Sequence, residues 1–368
     1  MALGTLLIRA DASAEIGTGH VMRCVALAQA WQHAGGRVVF ALAESTPSIL
    51  ERLRSEGFAS ESIAALAGSQ RDARRTAALA LANAVRWVVA DGYRFGHNYQ
   101  HAIIDSGLHL LCIDDNGEAG EYCADLVLNQ NLHAREPLYS NRDARTRLLL
   151  GPAFILLRRE FEAWRQWERE IGFAANRILI AMGGSDPRNL NSVVLRALQS
   201  IPDNELQVRI ATGGSNPRVD QLRRAAETCR GKIQLDVDAN MPELMAWADL
   251  AIAGAGATCW EMCLLSLPAL LIDVAGNQAE IAASLEKASV AVHLGNWREV
   301  TAEIIAAEIE KLRRSRERRQ LMSQSARSLA DGCGAQRVLR EILRHEAHAA
   351  RIGDFSPGKH TCGLVRAQ

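Results

Sequence analysis

Four consecutive residues near the start of the chain suit chemistry on an anionic ligand: Gly17-Thr18-Gly19-His20. Glycines let a ligand come close to the backbone. His20 is the side chain there that both takes and gives a proton near neutral pH. Before the loop, Leu6-Leu7-Ile8 is a short apolar run that reads as a buried strand. After it, Val21, Val25, Ala28 and Trp31 recur at helical spacing. A strand thus feeds a glycine loop, and the loop opens a helix whose first turn carries the histidine. In an open α/β sheet such a loop lies at the carboxyl end of a strand, where ligands bind. The helix N-terminus presents unpaired N–H groups to an anion. The spacing is not G-x-G-x-x-G, so this is not a dinucleotide fingerprint. A histidine early in a helix is also compatible with an ordinary surface or half-buried side chain, so the rest of the chain must decide.

The second half repeats the device twice. Gly183-Gly184-Ser185 and Gly254-Ala255-Gly256-Ala257-Thr258 each follow a strand-like run and precede a helical one. Each offers backbone N–H groups and a hydroxyl to phosphate oxygens. No G-K-[ST] occurs, so neither is a Walker loop. Two anion sites in one domain suit a diphosphate. Glu261 follows Thr258 by three residues. That spacing is either a capping box with Thr258 as N-cap or a carboxylate that accepts hydrogen bonds from a ribose diol. Asn277-Gln278 is either a helix cap or a pair of neutral groups that orient a sugar or a water. His97 and His101 stand at i, i+4, the spacing of a metal pair, but no third ligand is near in sequence, and a solvated helix face is expected. Asp91, Asp114 and Asp115 fall at strand ends, where they either line a cleft or cap turns.

These residues need elements to hold them. The chain has 368 residues, enough for about two domains with their own cores. Over the first 150 or so residues strands alternate with helices, the pattern of a doubly wound sheet. Strands are expected at 37–42, 86–91, 108–113, 126–128 and 148–150, with helices at 47–57 and across 60–84. Gly151-Pro152 interrupts the pattern, and the charged amphipathic segment 157–171 reads as the crossing between domains. The plan then restarts with strands at 177–182, 206–211, 232–235, 250–253, 268–273 and 290–294, and long polar helices at about 300–330 and 335–350. The expected domains are 1–152, an interdomain segment 153–175, 176–350, and a loosely held tail 351–368.

Composition narrows the partners. Forty-two basic and 42 acidic residues cancel, so charge gives no argument for nucleic acid or an anionic membrane. No run of about 18 apolar residues suggests a membrane span. Arg9 and Asp11 interrupt the N-terminal apolar run, which is unlike a signal peptide. Eight scattered cysteines without a C-x-x-C pair read as reduced thiols of a cytoplasmic protein. No metal site and no cofactor are expected, and a monomer is the expected state.

Several blocks together carry a resemblance: IRADASAEIGTGHVMRC, ADGYRF, CIDDNG, LLGPAFILLRREF, AMGGSD and AGAGATCWEMCLLSLPALLIDVAGNQ. They resemble the UDP-sugar hydrolase of pseudaminic acid biosynthesis, from about residue 5 to 330. The second-half blocks also resemble the GT-B glycosyltransferase that adds N-acetylglucosamine during peptidoglycan synthesis. The resemblance implies a GT-B fold: two Rossmann-like doubly wound α/β domains facing across a cleft, with UDP on the second. It implies cleavage of UDP-2,4-diacetamido-2,4,6-trideoxy-β-L-altropyranose to the free sugar and UDP. His20 matches the catalytic histidine and Asn277 a sugar-site asparagine. Ser185, Thr258 and Glu261 match diphosphate and ribose positions, and Met241 a backbone contact to uracil.

The residues agree with that chemistry. Hydrolysis at an anomeric carbon needs an activated water and a stabilised leaving group. His20 suits the first task, and glycine-loop N–H groups suit the second. Three alternatives compete: a GT-B glycosyltransferase, a hydrolysing UDP-N-acetylglucosamine 2-epimerase, and a non-catalytic nucleotide-sugar-binding protein.

Overall fold

The run Leu6-Leu7-Ile8 lies inside a strand, β1 (Thr5–Ala10), that is buried on both faces. Such near-continuous apolar strands belong to parallel sheets covered by helices on both sides. The computed structural model describes residues 3–352 apart from 14, 203–204, 215 and 229–231. The expected loosely held tail lies outside the described residues beyond Ile352.

The first half continues as α1 (Gly19–His33), β2 (Arg37–Leu42), α2 (Pro47–Ser55), β3 (Ala59–Ser62), α3 (Gln70–Ala82), β4 (Trp87–Asp91), α4 (His97–Ile104), β5 (His109–Ile113), β6 (Leu126–Asn129) and β7 (Arg147–Leu150). Its seven strands are all parallel, in the order β3-β2-β1-β4-β5-β6-β7. The second half is β8 (Arg177–Ala181), α5 (Leu190–Gln199), β9 (Gln207–Thr212), α6 (Val219–Thr228), β10 (Lys232–Val237), α7 (Met241–Trp247), β11 (Leu250–Gly254), α8 (Thr258–Leu264), β12 (Ala269–Asp273), α9 (Ala279–Lys287), β13 (Ala291–Asn296), α10 (Ala302–Arg314), α11 (Arg316–Arg327) and α12 (Gly334–Ile352). Its six strands are also parallel, in the order β10-β9-β8-β11-β12-β13.

Strand order reverses direction at β1/β4 in the first sheet and at β8/β11 in the second. These are the switch points where loops diverge and leave a crevice beyond the carboxyl ends of the strands. The loop that carries His20 follows β1, and the two second-half glycine loops follow β8 and β11.

Three details depart from the sequence pattern. Residues 60–84 are not helical throughout: β3 occupies Ala59–Ser62 and α3 starts only at Gln70. Every β3 side chain is exposed, so this edge strand has no alternating signature. The segment 157–171 holds only a short 3₁₀ turn, Arg159–Trp164. The long helix at 300–330 is two helices, because the Ser315 hydroxyl accepts from the Arg318 N–H and starts a new helix there.

The segment that joins the halves belongs to both cores. Leu156 packs with β1, α1 and α12, whereas its neighbours Ile155 and Leu157 pack with β8, β11 and α8. Helix α12 returns to the first half: Ala335, Val338, Leu339 and Ile342 bury against α1.

Candidate functional site

The site is built where β1, β4 and β5 end side by side. Ala10 pairs with Asp91, and Asp91 with Ile113, so the residues that follow these strands share one edge. Gly17 has φ +79, a conformation that glycine adopts without strain, and its N–H bonds the Ser13 carbonyl at 2.9 Å. The turn ends at Thr18, and α1 begins at Gly19. This puts His20 and Arg23 on one face of the first turn of α1, both with 7% exposure.

His20 Nδ1 lies 2.6 Å from Asp91 Oδ1. Arg23 grips the same carboxylate, with Nε 2.6 Å from Oδ2 and Nη2 2.7 Å from Oδ1, and reaches Asp115 Oδ1 at 2.7 Å with Nη1. The buried guanidinium, with help from His20, holds the Asp91 carboxyl well below the usual carboxylate range despite its burial. Arg23 holds the Asp115 carboxyl down in the same way. An ionised carboxylate only accepts, so Nδ1 of His20 carries the hydrogen. The 3.3 Å approach of Arg23 Nη2 to Nδ1 is then a close packing contact, since both atoms are donors. Nε2 makes no hydrogen bond among the described residues.

Asp115 is fixed on its other sides by Asn131 Nδ2, 2.8 Å from Oδ1, and by Asn129 Nδ2, 2.7 Å from its carbonyl. Asp114 does something different. It accepts from the Gly117 and Glu118 N–H groups and from the Tyr122 and Tyr139 hydroxyls. Of the three strand-end aspartates, Asp91 and Asp115 line the His20 cluster and Asp114 shapes a turn.

The two halves meet at this cluster. The Tyr93 ring stands edge-on to His20 with centroids 4.8 Å apart, and its hydroxyl lies 3.5 Å from Asp115 Oδ2. Asn277 Nδ2 donates to the Tyr93 hydroxyl from the second half. A second meeting point lies between glycine loops: a Cβ on Gly184 would stand 3.8 Å from Thr18 Oγ1. Gly184 also packs on Gly213, where an added Cβ would lie 3.0 Å from the Gly184 carbonyl oxygen. Gly17, Thr18, Gly19, His20, Gly183, Gly184 and Asn277 are thus gathered at one cleft.

The two second-half glycine loops are not equivalent. After β8, Asp186 turns back on its own helix, and its carboxylate accepts from the Leu190 and Asn191 N–H groups at 2.8 and 2.9 Å. The start of α5 is therefore already capped by an anion, and Ser185 beside it is buried. After β11, Ala257 is the N-cap of α8 and makes no side-chain cap bond. Thr258 lies inside the helix, so it is not the cap of a capping box. Glu261 instead pairs across the joint with Arg158, whose Nη2 and Nε lie 2.6 and 3.2 Å from Oε1. Gln278 Oε1 accepts from Val274 N at 3.0 Å, and its amide nitrogen would lie 3.5 Å from a Cβ on Gly256. Met241 is the first residue of α7 and is half-buried.

The sequence pattern missed Asn129 and Asn131, and also Arg23 and Tyr93, which have partners as far as 92 and 184 residues away along the chain. His97 and His101 also differ from expectation. Both are half-buried, and the fold brings Cys123 to them. A cavity of about 910 Å³ opens elsewhere, at the amino-terminal edge of the second sheet beside Arg177, Gln207 and Lys232.

Comparison with known proteins bears on the fold and the family. Residues 178–337 match the glycosyltransferase family 28 C-terminal domain. The chain is 27% identical, over 77% of its length and 96% of the relative's, to the UDP-2,4-diacetamido-2,4,6-trideoxy-beta-L-altropyranose hydrolase of Campylobacter jejuni. It is also 27% identical to the spore coat polysaccharide biosynthesis protein SpsG of Bacillus subtilis, over 64% of this chain and 70% of that one. Among solved structures, MurG of Acinetobacter baumannii superposes with a TM-score of 0.61 over 93% of this chain and 99% of its own, at 18% identity. The fold is GT-B, two Rossmann-like domains facing across a cleft, as the sequence blocks implied. No helix among the described residues is long and apolar enough to cross a membrane.

Proposed function

We propose that this protein hydrolyses a UDP-linked diacetamido-trideoxy sugar at its anomeric carbon, releasing UDP and the free sugar, and that His20 is the general base. One observation carries the reading: Asp91, locked as a carboxylate by Arg23, holds His20 through Nδ1 and leaves Nε2 free of hydrogen bonds among the described residues. An imidazole held in this way accepts a proton and shares the resulting charge with its carboxylate. The likeness to the Campylobacter hydrolase over nearly all of that protein supports water as the acceptor.

Nε2 of His20 takes a proton from water as the water oxygen bonds to the anomeric carbon. The bond from that carbon to the diphosphate oxygen breaks, and its electron pair leaves with UDP. In-line attack inverts the anomeric centre. UDP lies on the second half, against the loops after β8 and β11. Developing charge on the diphosphate falls on Gly256, Thr258 and the Gly183-Gly184-Ser185 loop. Glu261 takes the ribose with Oε2, since both of its bonds to Arg158 use Oε1. Asn277 and Tyr93 close over the sugar, and Gln278 shapes the loop beside Gly256.

A second reading is sugar transfer, because the matched C-terminal domain is that of a glycosyltransferase family. The same base would then act on an acceptor alcohol. A panel of UDP-sugars incubated with purified protein and no acceptor separates the two. Free UDP in stoichiometric equality with free sugar is expected from the diacetamido-trideoxy substrate. Turnover that appears only when an acceptor is added would establish transfer instead.

A further inference from the structure

We propose that His97, His101 and Cys123 form a binding site for a zinc-type divalent cation that clamps α4 to the segment following β5, with the Glu121 carboxylate beside it. His97 and His101 are one turn apart on α4, so both imidazoles point from one face. Cys123 arrives from the far side, on the segment that runs from Asp114 to β6. One ligand atom each from His97, His101 and Cys123 lies within 4.8 Å of the other two. The two imidazole rings stand edge to face with centroids 4.2 Å apart. His97 Nδ1 is buried and makes no hydrogen bond, with Glu121 Oε2 3.3 Å away. A buried ring nitrogen that has a carboxylate near it but no well-formed hydrogen bond is costly in a folded protein and leaves room for a ligand.

The site is braced from behind. Gln100, on the same helix, accepts from the Cys123 and Ala124 N–H groups at 3.1 and 3.3 Å and donates to the Phe95 carbonyl at 3.1 Å. This holds the thiol at the helix face whether or not an ion is bound, so little ordering remains to be done on binding. Metal–nitrogen bonds of about 2.0–2.1 Å and a metal–sulfur bond of about 2.3 Å need donors closer together than 4.8 Å. Side-chain rotation of the two half-buried histidines supplies that contraction.

The donor set selects the ion. Two imidazoles and a thiol favour zinc or cobalt over magnesium or calcium, which prefer oxygen ligands. Burial pushes the Cys123 thiol up to about 12, so it is neutral without metal at neutral pH. A bound cation displaces that proton, and binding releases one hydrogen ion to solvent. The thiolate and the Glu121 carboxylate then balance the two positive charges. Arg145 is the opposing charge near the thiol, and Asp143 and Asp125 offset it.

The clamp is structural. It ties the start of α4, just after the Tyr93 turn, to the segment that begins at Asp114-Asp115. Its test reads metal binding rather than sugar-nucleotide cleavage, so it stands or falls separately from the hydrolase reading.

The chelator-treated, reduced full chain is titrated with Co(II) and followed by absorption. One equivalent is expected to produce intense visible bands of a tetrahedral site and a near-ultraviolet thiolate-to-cobalt band, both bleached by Zn(II). Cys123→Ser is expected to remove the near-ultraviolet band. His101→Ala is expected to weaken binding at least about tenfold, the effect of losing a strong ligand contact. The melting temperature of the wild type, but not of His101→Ala, should rise on adding Zn(II). His101 is half-buried, so this variant folds where a core change would not. Absence of a thiolate band in the wild type, or its persistence in Cys123→Ser, would overturn the proposal.

Discussion

At the scale of the residue, the proposed reaction turns on one proton. His20 has a carboxylate behind it and an open nitrogen in front. His20→Asn keeps approximate size and polarity but cannot act as a base. A positioned acid–base group contributes about 10²–10⁴-fold, so kcat should fall by that order while UDP affinity, measured by calorimetry, stays near wild type. Asp91→Asn should lower kcat by a similar order through the wrong ring tautomer. A variant that loses activity and UDP binding together would point to misfolding rather than to the base.

Glu261 offers a comparison with its own control. Glu261→Ala and Arg158→Gln both break the 2.6 Å ion pair, but only the first removes the proposed ribose acceptor. The first should weaken UDP by about 1–3 kcal/mol, and the second should leave affinity near wild type. Equal losses in both would reduce Glu261 to a joint-stabilising residue.

The carboxylates also set an acid limit. Asp91 and Asp115 have depressed folded-state pKa values, so each contributes stability above its unfolded value of about 3.9. That contribution is lost as pH falls through this value towards the folded one. The melting temperature should therefore drop below about pH 4, and less steeply in Asp115→Asn.

His20 and its glycines were legible because they sit together in the sequence. Asp91 and Asp115 were visible as strand ends without a role. Arg23 was not visible, because its partners lie 68 and 92 residues away and only the parallel pairing of β1, β4 and β5 brings them together. The Glu261 pairing was hidden for the same reason, since Arg158 is 103 residues earlier.

At the scale of the element, alternation of apolar runs and helical periods was enough to place nearly every strand, because buried parallel strands are apolar throughout. What failed had no such signal. β3 is exposed along its length, and the joint at 155–165 is irregular because consecutive residues serve different cores. That joint depends on close backbone contact with α12. A Cβ added to Gly334 would fall 2.0 Å from the Ile155 carbonyl oxygen. Gly334→Ala should therefore destabilise the fold by about 1–3 kcal/mol, an overpacking cost, seen as a lower denaturation midpoint. An unchanged midpoint would mean that α12 is not held against the joint as described.

At the scale of the whole molecule, two sheets of like topology present their switch points to one cleft. The first half brings His20 and its carboxylates. The second brings glycine loops and an uncapped helix start. In the proposed reaction binding and chemistry fall on different lobes, which touch at Tyr93–Asn277 and Thr18–Gly184. UDP alone should slow amide hydrogen exchange in 183–190 and 254–262 and leave 15–20 little changed. Protection confined to the first half would reverse the assignment of lobes.

The central claim is that water attacks carbon with His20 as base. The most direct measurement is turnover of the UDP-sugar in ¹⁸O-water, with mass spectrometry of both products. One labelled oxygen on the anomeric carbon of the released sugar, and none in UDP, is the result predicted here. Label in the UDP phosphate would mean attack at phosphorus and would contradict the account.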